Sequence, residues 1–456
     1  MATGPATAGI DWEGALWETI GHLQALIRMD TVNPPGNELK VARYLDDVLR
    51  GAGISTTLLE PAPQRAAIIS RIPGSGRARP LLLLAHMDVV GVERERWTTN
   101  PFGGEVHDGY LYGRGAIDDK GMLATNLETM LLVQRHVVRA GRQLDRDLIF
   151  VATSDEEAGG AWGIDWLARH HRDLLDAEYA LNEGGRIRMR DGALHYAAVQ
   201  CAEKVSNVVR VTARGPAGHA SVPLPGNAVV RLARAVAAIG NHVEPVVLTD
   251  VSRGFFAGLA PIWPDERVRA AMQDVASDDS ARVAAGAAVL STDPFFAAVL
   301  RNGIAPTILA GGIRANVIPA EAAATLSVRT LPGQPIEALL ERLRAAVADD
   351  AITVVVEAAG EDAPPSPIDS SLFAAIRDSI ALLAPGVPAV PYLSTGATDS
   401  AALRRLGIHA YGLLPFPLAG EDEGRMHGHD ERVPVSSLAF GIRLSWEIVQ
   451  RVAGAS

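Results

Sequence analysis

The stretch RPLLLLAHMD, residues 79–88, is a short apolar run that ends in a histidine and an aspartate. A continuous apolar run of this length is typical of a strand buried on both faces of a sheet. RDLIFVATSDEE, residues 146–157, and AEYALNEGG, residues 177–185, repeat the pattern and end in acids. In open α/β sheets, ligands bind at the carboxyl ends of the strands. We therefore expect the polar residues that follow these three strands to converge at one edge of a sheet.

Helical patterns alternate with these strands, which predicts a doubly wound α/β domain. From residue 203 onward, the predicted elements follow the order β-α-β-β-α-β of a ferredoxin-like module, with a long insertion over residues 241–303. The stretch GEDAPPSPIDSS then indicates a linker, because prolines and small polar residues dominate it. We predict that residues 1–202 and 363–456 form one domain and that residues 203–362 form a smaller inserted α+β domain.

The composition excludes several classes of protein. The chain of 456 residues has 42 Lys+Arg against 53 Asp+Glu and no basic run, so neither nucleic acid nor an anionic membrane is an expected partner. A single cysteine, Cys201, excludes an internal disulfide and a thiolate zinc site. No stretch has the features of a secretory signal or the length of an apolar membrane helix. We expect a cytoplasmic protein of enzyme size.

Two motifs after the first buried strand carry candidate metal ligands. His86 and Asp88 are either ordinary loop residues or a ligand and the acid that holds its other ring nitrogen. In YGRGAIDDKG, Asp118 and Asp119 are either solvated acids at a hairpin tip or include an aspartate that bridges two cations. The glycines of this motif do not form a dinucleotide-binding fingerprint, because residue 118 is an aspartate where that fingerprint needs glycine.

Three further motifs supply carboxylates and imidazoles. Glu156 and Glu157 are adjacent and point in different directions, so one would bind metal while the other acts as a general base. Alternatively they are acids at a helix N-terminus. Glu183 follows the next strand, and MHGHDER offers His427 and His429, either of which would serve as a ligand or lie in a polar turn. Imidazole and carboxylate donors without cysteine favour zinc, cobalt or manganese in a hydrolytic role.

The order of the motifs identifies a family. AHMDVV, YGRGAIDDKG, SDEEAG, NEGG, GPAGHAS, NVIP and HGHDER follow one another over nearly the whole chain. In this the chain resembles the di-zinc amidohydrolases that include aminoacylase, acetylornithine deacetylase, succinyl-diaminopimelate desuccinylase, glutamate carboxypeptidase and carnosinase. The resemblance implies a doubly wound catalytic domain with an inserted ferredoxin-like lid, or dimerisation, domain.

The resemblance also assigns roles to residues of the first domain. It implies that Asp88 orients His86 and that Glu156 is the general base, which takes a proton from water and passes it to the leaving amine. It further implies a cis peptide bond between Asp118 and Asp119. The implied ligands are His86 and Glu183 on one zinc, Glu157 and His427 on the other, and Asp118 bridging both. His429 becomes a variable position between the ligand and Asp430.

Three residues of the inserted domain have implied roles as well. His219 matches a histidine that stabilises the oxyanion in a neighbouring active site, which implies a homodimer through the inserted domain; otherwise it is a turn histidine. Asn316 and Arg329 match substrate-holding positions, and Arg329 would pair with a substrate carboxylate. Without the resemblance, Arg329 is a surface arginine on a strand. Relatives with longer insertions supply the histidine within one chain, so the insertion leaves action in cis or in trans open.

We therefore expect a two-zinc hydrolase, with Co²⁺ or Mn²⁺ as substitutes, that cleaves an amide bond in a small substrate with a free carboxylate. N-acyl amino acids and dipeptides fit this description. One alternative is an amidase of the same fold that acts on carbamoyl or ester bonds, and another is a non-catalytic binding protein. The apolar stretch GFFAGLAPIWP, residues 254–264, either lines a substrate pocket or forms the interior of the insertion.

Overall fold

The structure is a computed structural model that describes residues 9–454. Its helices are α1 (Trp12–Arg28), α2 (Leu39–Gly51), α3 (Lys120–Val133), α4 (Ile164–His170), α5 (Ala228–Asn241), α6 (Asp250–Leu259), α7 (Glu266–Val275), α8 (Ser280–Leu290), α9 (Pro294–Leu300), α10 (Ile336–Val347), α11 (Ser371–Leu383), α12 (Ser400–Arg405), α13 (Gly420–Glu423) and α14 (Val435–Ala453). Among the described residues, no helix is both long enough and apolar enough to cross a membrane.

The strands alternate with these helices along the chain. They are β1 (Thr56–Ala62), β2 (Arg65–Ile72), β3 (Leu81–His86), β4 (Glu105–His107), β5 (Tyr110–Tyr112), β6 (Leu148–Thr153), β7 (Tyr179–Asn182), β8 (Arg186–Arg190), β9 (Ala193–Glu203), β10 (Val205–Arg214), β11 (Gly218–His219), β12 (Gly303–Gly311), β13 (Val317–Ile318), β14 (Glu321–Thr330), β15 (Ile352–Ala358), β16 (Ala389–Ser394), β17 (His409–Gly412), β18 (Pro417–Leu418) and β19 (Arg432–Pro434).

The chain divides into two compact units. Unit 1 comprises the described residues up to Cys201, Ser366–Tyr392, and those from Thr398 onward. Unit 2 comprises Ala202–Pro365 and the short segment Leu393–Ala397. The chain therefore passes from unit 1 to unit 2 and back twice, once for Ala202–Pro365 and once for Leu393–Ala397.

A large mixed sheet runs in the order β1-β2-β6-β3-β7-β17-β9-β8-β18, with β16 paired to β9. At its centre β6, β3 and β7 are adjacent and parallel. Every residue of β3 and of β6 is buried, as the continuous apolar runs predict for strands covered on both faces. The predicted α/β fold is confirmed.

Helices cover the faces of this sheet. On one side, Leu167 of α4 and Leu403 of α12 pack with Leu84 of β3 and Val151 of β6 in one apolar cluster. Elsewhere in unit 1, α3 is buried along its whole length and packs against α1, α14 and β3. The parallel strands and their carboxyl ends are therefore fixed by packing on both faces.

Unit 2 contains an antiparallel sheet in the order β12-β14-β10-β15, against which α5 and α10 pack. Its elements follow the chain order β10-α5-β12-β14-α10-β15, with helices α6–α9 inserted before β12. This is the predicted β-α-β-β-α-β order with its long insertion. Helices α5–α9 each begin after a side chain that accepts hydrogen bonds from first-turn amides. These capping residues are Asn227, Thr249, Asp265, Asp279 and Asp293.

The apolar stretch 254–264 packs inside the insertion. Phe255 and Phe256 are fully buried on α6, and their ring centroids are 5.3 Å apart in an edge-to-face arrangement. Phe296 of α9 lies 5.7 Å from Phe256 by the same measure. These aromatic contacts account for the apolar residues of α6 as interior packing, so they give no support to the alternative of a substrate pocket.

Candidate metal centre and active site

Several predicted site residues of unit 1 lie at or just after the carboxyl ends of β6, β3 and β7. His86 is the last residue of β3, and it pairs in register with Thr153, the last residue of β6. Glu156 and Glu157 stand in a short 3-10 turn just after β6, and Glu183 follows β7 directly. Because these strands are parallel neighbours, their ends share one edge of the sheet. The sequence prediction that these residues converge is therefore met by the topology.

Asp118 connects two histidines from distant parts of the chain. It lies in the loop between β5 and α3, and the predicted cis peptide bond to Asp119 is present. Its Oδ1 is 2.9 Å from Nε2 of His86, and its Oδ2 is 3.0 Å from Nε2 of His427. One carboxylate thus faces an imidazole with each of its oxygens, which is the arrangement expected of a ligand shared by two cations.

The five predicted metal ligands form two overlapping groups. His86, Asp118 and Glu183 bring their donor atoms within 4.8 Å of one another, and so do Asp118, Glu157 and His427. Oε1 of Glu157 is buried, lies 3.2 Å from Nε2 of His427, and has no hydrogen-bond partner. Such an orphaned carboxylate oxygen, within a set of imidazole and carboxylate donors, fits a divalent cation.

The electrostatics of the cluster also fit bound cations. Burial raises the pKa of Glu183 to about 8, and the negative charge of Asp118 adds to the effect. Burial likewise opposes ionisation of Asp118, but hydrogen bonds from His427 and His86 lower its pKa. The hydrogen bond to Asp118 is the main cause that raises the pKa of His427 to about 10. Positive charge placed beside Glu183 and Asp118 would therefore favour the ionised form of both carboxyl groups.

Asp88 has a wider role than the sequence suggested. Nδ1 of His86 lies 3.0 Å from the backbone oxygen of Asp88 and 3.4 Å from its carboxylate, so the closer contact to the ring is the carbonyl. The carboxylate accepts the backbone N–H groups of Glu156 and Glu157, each at 3.1 Å, and the side-chain amide of Asn33 at 2.8 Å. Asp88 therefore positions His86 and the turn that bears Glu156 and Glu157.

A polar network behind this turn was not anticipated from the sequence. Asp155, just before Glu156, has a left-handed φ of 70°. Its Oδ1 accepts a hydrogen bond from Asn33 at 3.1 Å and lies 3.1 Å from the guanidinium of Arg65. Arg65 in turn pairs with buried Glu38 at 2.6 Å. These residues come from separate loops and strands, so no local sequence motif predicts the network. The burial of their charged groups would indicate it, but that burial is known only from the fold.

The three site residues predicted in the inserted domain belong to unit 2. His219 on β11 pairs in register with Val317 on β13. The backbone N–H of Ala220 donates to the backbone oxygen of Asn316 at 3.0 Å. His219 and Asn316 are therefore neighbours across a two-stranded ladder. Arg329 lies on β14, between Ser206 of β10 and Gly303 of β12.

A third cluster of potential ligands lies on α1 and α3 of unit 1. Glu18, His22 and Glu128 bring donor atoms within 4.8 Å of one another. Arg135 forms two contacts of 2.7 and 2.5 Å with Glu18 and one of 3.5 Å with Glu128. The guanidinium supplies positive charge here, so we assign no metal to this cluster.

Imidazoles and carboxylates in two overlapping groups, at the carboxyl edge of an α/β sheet, fit the class of metal-dependent hydrolases. The sequence model for Peptidase family M20/M25/M40 matches residues 82–451, and the chain belongs to this family. The resemblance drawn from the motifs is confirmed.

Similar proteins include an N-fatty-acyl-amino acid synthase/hydrolase and an aminoacylase. The N-fatty-acyl-amino acid synthase/hydrolase PM20D1 of Xenopus tropicalis is 27% identical over 391 residues, covering 81% of this chain and 72% of the relative. Aminoacylase-1 of Mus musculus is 26% identical over 432 residues, covering 94% of this chain and 93% of the relative. Among solved structures, the M20 family metallo-carboxypeptidase Sso-CP2 from Sulfolobus solfataricus has a TM-score of 0.69 at 17% identity, covering 95% of this chain and 98% of that one.

Proposed function

We propose that this protein hydrolyses the amide bond of a small substrate with a free carboxylate, such as an N-acyl amino acid or a dipeptide, with two Zn²⁺ ions as cofactors. The observation that carries the proposal is Asp118 held between His86 and His427, at 2.9 and 3.0 Å, so that two ligand groups share one carboxylate. The names of the relatives, which include an aminoacylase and an N-fatty-acyl-amino acid hydrolase, support this substrate class.

The proposed reaction starts with proton transfer to Glu156. The five ligands would hold two divalent ions, which would polarise the scissile carbonyl and lower the pKa of water. Burial raises the pKa of Glu156 well above its usual range, and this makes the carboxylate a stronger base. Glu156 takes a proton from the attacking water and delivers it to the leaving nitrogen. Asp88 holds the backbone of Glu156 during both transfers.

His219 is suited to stabilise the oxyanion. The backbone N–H of Ser221 donates to Nδ1 of His219 at 3.2 Å, and the Ser221 hydroxyl lies 2.6 Å from the same nitrogen. Because Nδ1 accepts the amide hydrogen, the neutral ring carries its proton on Nε2. Nε2 is therefore a hydrogen-bond donor, as stabilisation of a tetrahedral oxyanion requires.

Arg329 is suited to bind the substrate carboxylate. It is half-buried, and it forms no ion pair with any carboxylate in the described part of the chain. Its positive charge also affects a neighbour. The pKa of Lys204 is lowered to about 8, mainly by burial and additionally by the charge of Arg329. A planar guanidinium without a protein partner is suited to a bidentate contact with a carboxylate. The exposed side chain of Asn316 would add a second polar contact to the substrate.

We extend the proposal to a homodimer through unit 2. Strand β12 is an edge of its sheet, and Ile308 and Leu309 on it are 59% and 66% exposed. Val229 and Val230 at the start of α5 are also exposed, and Val229 lies against Gly311 of β12. A long, exposed, apolar edge strand is a site of pairing with another chain. A second copy that pairs through β12 would cover these side chains.

A substrate panel tests the function. The chelated protein, and the same protein reloaded with Zn²⁺ or Co²⁺, is incubated with N-acyl amino acids of increasing chain length and with dipeptides, and release of free amine is measured. We expect turnover only after reloading. Full activity in the chelated protein would overturn the metal-dependent mechanism.

Matched substrates without the carboxylate separate the alternatives. Carbamoyl and ester compounds that lack a free carboxylate would be preferred if the protein is the alternative amidase of the same fold, and Arg329 would then be dispensable. Absence of amine release from every compound by the fully loaded protein would favour the non-catalytic alternative. Preference for substrates with the carboxylate is the result that the proposal requires.

A further inference from the structure

A buried carboxylate outside the ligand set holds the loop that carries Asp118. Glu431, the last acid of the HGHDER motif, is fully buried. Its Oε1 accepts the backbone N–H groups of Ile117 at 2.8 Å and of Asp118 at 3.1 Å, and its Oε2 accepts that of Gly115 at 3.1 Å. One side chain from the C-terminal part of the chain therefore fixes three amides of the loop before α3.

Arg114 joins this carboxylate to the loop of His427. The Arg114 side chain is 2% exposed, and its Nη1 lies 2.6 Å from Oε2 of Glu431. Its Nη2 donates to the backbone oxygens of Gly428 at 2.9 Å and His427 at 3.3 Å. His427 has a left-handed φ of 59°, which a histidine rarely adopts. The guanidinium of Arg114 thus binds the backbone oxygen of His427, the residue with the left-handed φ.

We infer that Arg114 and Glu431 form a positioning pair that sets the affinity of the second metal position, made by Asp118, Glu157 and His427. This inference rests on the two-metal site proposed above. The pair touches the ligands through their backbone and lies outside the donor set. It joins two loops that come from distant parts of the chain, next to the point where β5 and β19 pair and where the backbone N–H of Gly113 donates to the backbone oxygen of Glu431 at 2.9 Å.

The two metal positions differ in their dependence on this pair. His86 ends β3 and Glu183 directly follows the adjacent strand β7, so the ladder between these strands fixes their separation. The side chain of His427 is 49% exposed, so packing alone does not fix it. Loss of the pair would therefore weaken the position that contains His427 more than the position that contains His86. Partners of this kind, one step behind the ligands, change metal affinity on the order of 10- to 100-fold.

The experiment measures Zn²⁺ binding to the metal-free protein by competition with a chromophoric chelator, which gives a dissociation constant for each ion without reference to activity. The variants are Glu431→Gln and Arg114→Lys. Lysine keeps a charge toward Glu431 but lacks the planar fork that reaches both carbonyls. The control is Glu244→Gln in unit 2, a buried carboxylate paired with Arg342 at 2.6 Å. Thermal unfolding of each protein is recorded alongside.

For both site variants we expect one dissociation constant to rise about 10- to 100-fold and the other, whose position shares Asp118, to rise less. We expect Glu244→Gln to lower thermal stability and to leave both constants unchanged. Two unchanged constants in a folded Arg114→Lys protein would overturn the inference, and that variant decides the matter if Glu431→Gln does not fold. A wild-type protein that binds fewer than two ions would instead overturn the proposed function, so the two failures are distinguishable.

Discussion

Oδ2 of Asp118 lies 3.0 Å from Nε2 of His427, although the two residues come from the first and last thirds of the chain. Oδ1 of the same carboxylate lies 2.9 Å from Nε2 of His86. The second ligand group is therefore complete only when the C-terminal loop has docked on the sheet edge. The proposed metal binding to this group would for that reason be linked to the folding of unit 1.

Replacement of the proposed base separates catalysis from metal binding. Glu156→Gln should retain both metal ions, because Asp88 holds the turn through backbone amides that the substitution leaves intact. We expect kcat to fall on the order of 10²- to 10⁴-fold, since glutamine cannot accept the proton. Metal content by mass spectrometry and amine release give the two readouts. The matched variant Glu157→Gln should lose one ion, and near-normal kcat in Glu156→Gln would refute its role as base.

The two histidines of MHGHDER should differ sharply. Nε2 of His427 lies within 3.2 Å of both Asp118 and Glu157, whereas His429 makes no hydrogen bond or ion pair among the described residues. We expect His427→Ala to lose one zinc ion and most activity, and His429→Ala to keep both. Zinc content and kcat of the two purified variants are compared. The opposite pattern would show that the ligand register along this loop is wrong.

A mixed dimer tests whether His219 acts across subunits. One protomer carries Glu156→Gln and the other His219→Ala, and two affinity tags isolate the mixed species. If His219 acts in trans, one site combines an intact base with an intact histidine, and activity should reach about half that of the wild-type dimer. If it acts in cis, both sites are defective, and activity should be lower than that of the wild-type dimer by on the order of 10²-fold or more. The two homodimeric variants are the controls.

Charge on the exposed edge of the unit 2 sheet should prevent pairing. Leu309 on β12 is 66% exposed, and Val355 on β15, at the opposite edge, is 47% exposed. Leu309→Lys places an ammonium group on the proposed interface, so we expect a monomer by light scattering after gel filtration. Val355→Lys is the matched control and should remain dimeric. A wild-type monomer, or a dimer unaffected by Leu309→Lys, would contradict pairing through β12.

The buried acid on α3 gives a pH dependence of stability. Burial raises the pKa of Glu128 from 4.5 to about 8, and the neighbouring charge of Glu18 adds to the shift. The folded protein therefore keeps a proton that the unfolded chain has released, and it loses stability as the pH rises from 4.5 through 8. The glutamine of Glu128→Gln cannot titrate. The unfolding free energy of the variant minus that of the wild type should therefore increase by up to about 1.4 kcal/mol per pH unit across that window.

Urea unfolding of the chelated wild type and of Glu128→Gln, at intervals between pH 5 and 8, measures this difference. Chelation removes the contribution of metal binding from both proteins. The ion pair of Arg135 with Glu18 stays in place in the variant, so it cancels in the comparison. A difference that is constant across the pH range would show that Glu128 titrates near its usual pKa.

Much of unit 1 follows from short stretches of sequence. The apolar runs before His86, Glu156 and Glu183 predict buried parallel strands, and the rule on strand ends then predicts convergence of their acids. Both predictions depend on local patterns, because a strand covered on both faces must be apolar at every position. The βαββαβ order of unit 2 follows in the same way from alternating and helical periodicity.

The contacts of Asp88, Arg114 and Glu431 did not follow from the sequence. All three stand inside quoted motifs, but their partners are backbone groups of other loops. Every residue type offers a backbone carbonyl, and every type except proline offers a backbone N–H. The identity of the partner residue therefore does not predict such a hydrogen bond. For the same reason, the sequence suggested that Asp88 meets His86 through its carboxylate, whereas the shorter contact uses the backbone oxygen.

By itself, the sequence determined the family, the strand positions and the residue types of the proposed ligand set, since these depend on motif order and local periodicity. Only the tertiary structure decided that Asp118 faces His86 and His427 with separate oxygens, and that Arg114 and Glu431 tie their loops together. These relations depend on distances between segments far apart along the chain. Such distances are set by how the strands order in the sheet and how the C-terminal loop docks, which no local pattern encodes.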